Sequence, residues 1–550
     1  MTSIAVLRNK DLSPEEFAAL CVRLENRSLV EGDYEILRLF LDTHAQLAHA
    51  YQEKSHSIQR LLKMIFGPST EKTKNVLKTT ETPAPAEPTS VDDTQVQTER
   101  PTVPKTKRKG HGRNGAAAYT GAARVRVTLE NLKAGNSCPE CAQGTVYQSQ
   151  QPGTVVRVVG QPPLKATVYE LEKLRCGLCG TVFTADTPAD AGPDKYDATA
   201  ATVVGVLKYG NGFPFNRLEK LQASLGVPVP AATQWELVDR AAARYSSAFE
   251  EFIRQAAQGD VVHNDDTPMK VMALMLESAR ADRNTKGAPS RTGVFTTGIV
   301  SMVQGHKVAL FFTGRQHAGE NLADVLRRRA EGLAAPIHMC DASSCNTPKD
   351  FAVILANCCA HARRQFVDLV ESFPVDCSFV IEIFRDVYVN DAVAKHMDLS
   401  PEERLAFHQD SSGILMDRLQ VWLEVQFEEK RVEKNSSLGA AIAYMLRHWK
   451  ALTLFLHKAG APIDNNVVER ALKMVIRHRR NSLFYLTPNG ALVGDIHMTL
   501  IHTCYLNGVN PFHYLTALQR HYAEVHANPS AWMPWNYKDA LAAATPTGGG

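Results

Sequence analysis

A chain of 550 residues is longer than one hydrophobic core organises, so several domains are expected. Its 44% hydrophobic and 22% charged residues are those of a globular protein, and a net charge of only +3 confines any polyanion-binding surface to local clusters. No apolar run approaches the roughly 20 residues of a membrane helix, and the N-terminus lacks the longer apolar core of a signal peptide, which excludes a membrane-spanning role and points to the cytoplasm.

In chain order, Ser13-Pro14-Glu15-Glu16 has the form of a capping box and predicts a short helix. From about residue 33, Leu37, Leu41, His44, Ala48, Tyr51, Ser55, Ile58, Leu62 and Ile65 step by four and three alternately. That is a coiled-coil seam or, because His44 and Ser55 interrupt it, the face of a lone amphipathic helix. Residues 1–67 therefore read as a helical region. Residues 68–113 read as a linker, rich in Thr, Pro and Lys and poor in large apolar side chains. The linker ends in Lys105, Lys107, Arg108, Lys109 and Arg113 among small neighbours. Such a run is either a solvated tether or an arm for DNA phosphates.

The 11 cysteines, an odd number with close pairs, suit metal ligation better than a disulfide framework. Cys138 and Cys141 form one CxxC, Cys176 and Cys179 another. Four thiolates make a closed tetrahedral Zn²⁺ site, structural in character, and the alternating segments between the pairs predict a zinc ribbon over 114–189. Within 190–258, a helix, a turn at Gly226 and a second helix after Pro230 have the layout of a helix-turn-helix. The same layout fits a packed helix pair, and Gln234, Glu236, Asp239 and Arg240 on the second helix are a poor set for phosphates.

The stretch DVVHNDDTPMKVM reads as a strand delivering Asp265 and Asp266 at its end. GVFTTGIVSM and HKVALFFTG follow as a hairpin, then a helix, then a short run Ile337 to Cys340 that ends on Asp341. A mixed α/β sheet with carboxylates at strand ends is expected. Further on, PIDNNVVERALKMVIRHRRNSLF opens a helix on Glu469 and continues with Arg470, Lys473, Arg477, Arg479 and Arg480. Glu469 either complements the helix N-terminus or serves as a third acid beside the other two. In the second case three hard oxygen donors hold a pair of Mg²⁺ ions, and the basic residues face a polyanionic substrate.

HNDDTPMKV, CDASSCN, CCAHARRQF, PIDNNVVERALK with RRNSLF, and the closing NPFHYL and MPWNY resemble the transposases of the insertion-sequence-66 family over nearly the whole chain. The resemblance implies a DDE recombinase with a ribonuclease-H-like core over 259–490 and a C-terminal region over 491–550. It implies a catalytic triad of Asp265, Asp341 and Glu469 that also ligates two Mg²⁺ (or Mn²⁺) ions, alongside one structural Zn²⁺. Asp265 matches the family's first acid, and Asp266 stands where relatives usually carry Glu. Lys473 matches the basic residue one turn past the third acid, and Met474 replaces the proline of many relatives. His361 matches a family histidine and is a candidate active-site residue, its alternative being a satisfied histidine at a strand end. The long gap between Asp341 and Glu469 implies a helical insertion at about 375–450. The implied partners are double-stranded DNA (element ends and target), further copies of the chain on that DNA, and accessory proteins of the same element, in a bacterial, nucleoid-associated setting. Two other functions fit the same residues: a catalytically silent DNA-binding relative, and a ribonuclease-H-like nuclease without strand transfer.

Overall fold

The computed structural model describes residues 14–35, 37–38, 73, 117, 133–137, 139–141, 143–147, 163–175, 182–284 and 291–544. The seam from Leu41 onward, the basic arm from Lys105 to Arg113, and Cys138, Cys176 and Cys179 lie outside them. Strands β1 (Lys173–Arg175) and β2 (Val182–Thr184) form an antiparallel pair. The main sheet has five strands: β3 (Val261–Pro268), β4 (Phe295–Val303), β5 (His306–Gly314), β6 (Ile337–Cys340) and β7 (Ile354–Asn357). Their order is β5-β4-β3-β6-β7, antiparallel from β3 to β5 and parallel between β6 and β7. Gln304 and Gly305 join β4 to β5 with φ of 49° and 81°, the pair of positive angles that matches a hairpin turn to the strand twist.

The helices are α1 (Pro14–Glu25), α2 (Ala198–Gly205), α3 (Phe215–Ser224), α4 (Ala231–Ala256), α5 (Met272–Asn284), α6 (Ala318–Leu326), α7 (Cys359–Val367), α8 (Pro374–His396), α9 (Pro401–Ser411), α10 (Gly413–Glu428), α11 (Ser437–Leu452), α12 (Asn466–Ser482), α13 (Pro488–Leu506), α14 (Pro511–Arg520), α15 (Tyr522–Ala527) and α16 (Tyr537–Ala544). Local chemistry sets many of their starts. Asp197, Ser400, Ser436, Thr487 and Asn510 accept backbone N–H groups at the first turns of α2, α9, α11, α13 and α14. Proline opens α8, α9, α13 and α14, where its missing N–H costs no bond.

Two compact units result. One holds Ile337–Ser343 and Ile354–Asn466, and in it helices α8 to α11 occupy 374–452. Its buried Asp391 accepts from Lys395 at 2.6 Å and from Arg404 at 2.6 and 3.1 Å. Burial pushes the carboxyl up, but His408 beside it, with Lys395 and Arg404, outweighs this and holds it well below the usual range.

The other unit holds β3 to β5, α2 to α6 and α12 onward from Val467. Helix α4 is buried along its length, from Gln234 through Tyr245 to Ala256. Gln234 donates to the carbonyls of Val229 and Phe215, which ties α4 to α3 and to the turn. Helix α4 is therefore core, whereas α3 buries only Leu218 and Gln222.

Strand β5 is a sheet edge, and α13 closes it with side chains. Asp495 accepts from Thr313 N–H, Thr499 from Phe311 N–H, Thr503 from Ala309 N–H and Asn507 from Lys307 N–H, at 2.6 to 3.1 Å. Four helical residues advance about 6 Å, and two strand residues advance about 6.6 Å. The two repeats stay in step. An edge so covered cannot recruit another strand.

Asp495 is buried without a cation, and burial lifts its carboxyl to about 7. The unfolded state then gives up this proton at lower pH than the native state does. Stability is expected to fall as pH rises from about 4 to about 7, by up to about 1.4 kcal/mol per pH unit, and to level off above that. Asp495→Asn keeps an acceptor for Thr313 N–H, and its amide donates to Thr313 Oγ1, whose proton can turn to Thr296 Oγ1 at 2.8 Å. Urea midpoints measured across this window should therefore decline less steeply with pH in Asp495→Asn than in the unaltered chain.

Candidate active site

Asp265 and Asp266 lie inside β3, not at its end as the sequence suggests, because pairing with β4 continues to Pro268 opposite Phe295. Adjacent strand residues face opposite sides of the sheet. Asp265 pairs with Gly298, Asp266 with Thr297. Asp266 is held by Thr297 Oγ1 at 2.6 Å, by Ala318 N–H at 2.9 Å and by His317 Nδ1 at 3.1 Å. It braces the first turn of α6, and Asn321 on that helix completes the link by donating to Thr297 Oγ1 at 2.8 Å.

The opposite face, Asp265's, is covered by α12. A Cβ at Gly298 would lie 2.9 Å from Leu472 Cδ2 and 3.2 Å from Val468 Cγ2. Only glycine lets the helix approach β4 so closely. Val468 and Leu472 flank Glu469, so the first turn of α12 stands over the pair that contains Asp265. Both acids are half-buried. The glycine inside GVFTTGIVSM is the sequence signal for this close approach.

Asp341 is half-buried directly after β6, and its Oδ1 accepts Ser343 N–H at 3.1 Å. In the same unit β7, which the sequence did not reveal, leads into α7. His361 is in the first turn of that helix, after the strand end and not on it. Cys358 and Cys359 are fully buried. Cys358 Sγ accepts Asn465 N–H at 3.2 Å, and Cys359 Sγ–H points to the Leu452 carbonyl at 3.4 Å. Burial holds the Cys359 thiol well above its ordinary value, which makes it core.

The cations of α12 divide into two sets. Arg470, Lys473, Arg477 and Arg480 are exposed and recur at steps of three and four, along one side of the helix. Arg479 is turned inward, donating to Thr267 Oγ1 at 3.1 Å and to the Pro268 carbonyl, so it clamps the end of β3. Met474 is buried in a continuous helix. Further upstream, Cys141 is exposed in a small hairpin closed by the Ser137–Thr145 bridge, with Gly144 close to its Sγ.

A mixed α/β sheet carrying these acids, with many helices around it, is consistent with the core of a DDE transposase. A family model described as the IS66 family of transposases matches residues 196–492, just over half of the chain, and the chain belongs to that family. Two uncharacterized proteins of Sinorhizobium fredii, y4hP and y4qI, are each 25% identical to it. Those matches span 71% and 62% of this chain, and the same shares of their own lengths. A third, y4jD, is 30% identical over 34% of this chain and 36% of its own. No helix among the described residues is long and apolar enough to cross a membrane.

Proposed function

We propose that the chain is an active transposase that cleaves DNA at the ends of its element and joins the freed 3′-hydroxyl to target DNA. Asp265, Asp341 and Glu469 form its acidic triad. The observation that carries this reading is the close approach at Gly298, which sets the first turn of α12 over the partner of Asp265. It supports Asp265 as the first acid and leaves Asp266 to brace α6. It also supports a role for Glu469 beyond complementing the helix dipole. The proposed donors are half-buried carboxylate oxygens, the ligand type that a hard divalent cation takes. Two Mg²⁺ ions held there would supply activation of the attacking oxygen and neutralisation of the leaving one. The residues themselves hold charge in place, and the exposed row on α12 offers contacts to phosphates. His361 is proposed as an auxiliary group of the same site.

The test is incubation of the purified full-length chain, with Mg²⁺, with duplexes spanning both ends of the DNA segment that encodes it. Cleavage at fixed positions followed by joining to a second DNA supports the reading. Binding without cleavage would identify a silent DNA-binding relative, and cleavage without joining a nuclease.

The cysteine pairs are proposed to hold one structural Zn²⁺ through Cys138, Cys141, Cys176 and Cys179, and the α3–α4 pair and the basic arm to take part in DNA binding. The tight hairpin around Cys141 suits a zinc knuckle. Metal analysis should find one Zn²⁺ per chain, and Cys176→Ser should release it while the five-stranded core stays folded. A protein purified without zinc would remove that assignment.

A further inference from the structure

The motif Arg-Arg-Asn-Ser-Leu-Phe closes α12, and the chemistry above uses none of its last two residues. Leu483 has φ = 68°, and Phe484 N–H donates to the Ser482 carbonyl at 2.8 Å, two residues back. This is a γ-turn of the rare positive-φ kind, strained for any residue but glycine. The residues around it are anchored. Arg479 holds β3, and Asn481 donates to the Gly212 carbonyl at 3.0 Å. Ser482 Oγ accepts from Lys208 at 2.8 Å, and Tyr485 N–H donates to the Lys270 carbonyl at 2.9 Å. Between these anchors Leu483 is 62% exposed and Phe484 44%. With Leu483 and Phe484 both largely exposed, burial of these two side chains does little to offset the strain of the turn.

Lys473, Arg477 and Arg480 lead toward this turn on the same helix. Among the described residues, no ion pair engages any of the three. We propose that Leu483 and Phe484 form an apolar wedge that receives an unstacked base at the end of a DNA duplex, with the cationic row holding the adjoining phosphates. The charge of the row selects a polyanion over an apolar protein surface. Arg479 fixes the wedge to β3, the strand that carries Asp265. The proposal rests on the DNA-processing reading above and adds to it a way of opening the duplex end.

The test compares binding of the full-length chain to two short duplexes of one sequence, one blunt and one with a single unpaired terminal base. The unaltered chain should favour the unpaired end about tenfold, the worth of one base stacked on an aromatic ring. Phe484→Ala and Leu483→Ala should erase that preference, and Phe484→Trp should keep it. Both positions are exposed, so unfolding midpoints should not move. Arg477→Gln combined with Arg480→Gln should weaken binding to both duplexes alike and lower the salt slope by about 0.9 per lost contact. If Phe484→Ala keeps the preference, or the unaltered chain binds the two duplexes equally, the wedge is rejected while the transposase reading stands. If Phe484→Ala alters only the oligomeric state, the patch is a subunit contact and the wedge is again rejected. A chain that binds neither duplex rejects both readings.

Discussion

Replacing Glu469 with glutamine is expected to reduce DNA strand cleavage by several orders of magnitude while binding to DNA ends survives. Glutamine keeps the shape and hydrogen-bonding capacity of the side chain and removes only the charge that a divalent ion requires. Asp265→Asn and Asp341→Asn should show the same split between cleavage and binding. Asp266→Asn should behave differently. Its carboxylate serves Thr297, His317 and the start of α6, so its loss should lower stability by about 1 kcal/mol and change cleavage little. Were Glu469 only a partner of the helix dipole, Glu469→Gln would cost about 0.3–1 kcal/mol of stability and leave cleavage intact. A cleavage rate close to that of the unaltered chain under saturating Mg²⁺ would reject the triad.

Gly298→Val is expected to have the next largest effect, although Gly298 has no reactive group. Its new side chain must occupy space now filled by Leu472 and Val468. The helix can only move outward, and overpacking of this kind costs about 1–3 kcal/mol. Glu469 moves with the helix, and a displacement of about 1 Å at a catalytic group costs on the order of a hundredfold in rate. Cleavage should therefore fall far more than thermal stability. Combining Gly298→Val with Leu472→Ala reopens the space and should restore a substantial part of the lost rate. If the single variant cleaves normally, the spacing between α12 and β4 does not position Glu469.

Part of this protein was legible residue by residue. Two β-rich runs with Gln304-Gly305 between them give β4 and β5, because a two-residue turn admits little but a hairpin. The amphipathic step of three and four gives α12 with its buried Val468, Leu472 and Val475. The motif residues carry the family itself, which rests on side-chain identities more than on packing. Strand β7 escaped because four residues among cysteines and alanines have no readable period. The alternation of β3 guarantees that Asp265 and Asp266 face opposite ways, yet it cannot say which face receives α12 and which α6. That choice depends on helices that begin at Ala318 and Asn466, far from Asp265 and Asp266 in the chain. Nor could α4 be read as core, or α13 as the cover of the β5 edge, since the residues that meet across those surfaces are equally distant in sequence. Sequence set the side chains and their local period; long-range packing decided which acid lies on the sheet face that α12 covers and which holds the start of α6.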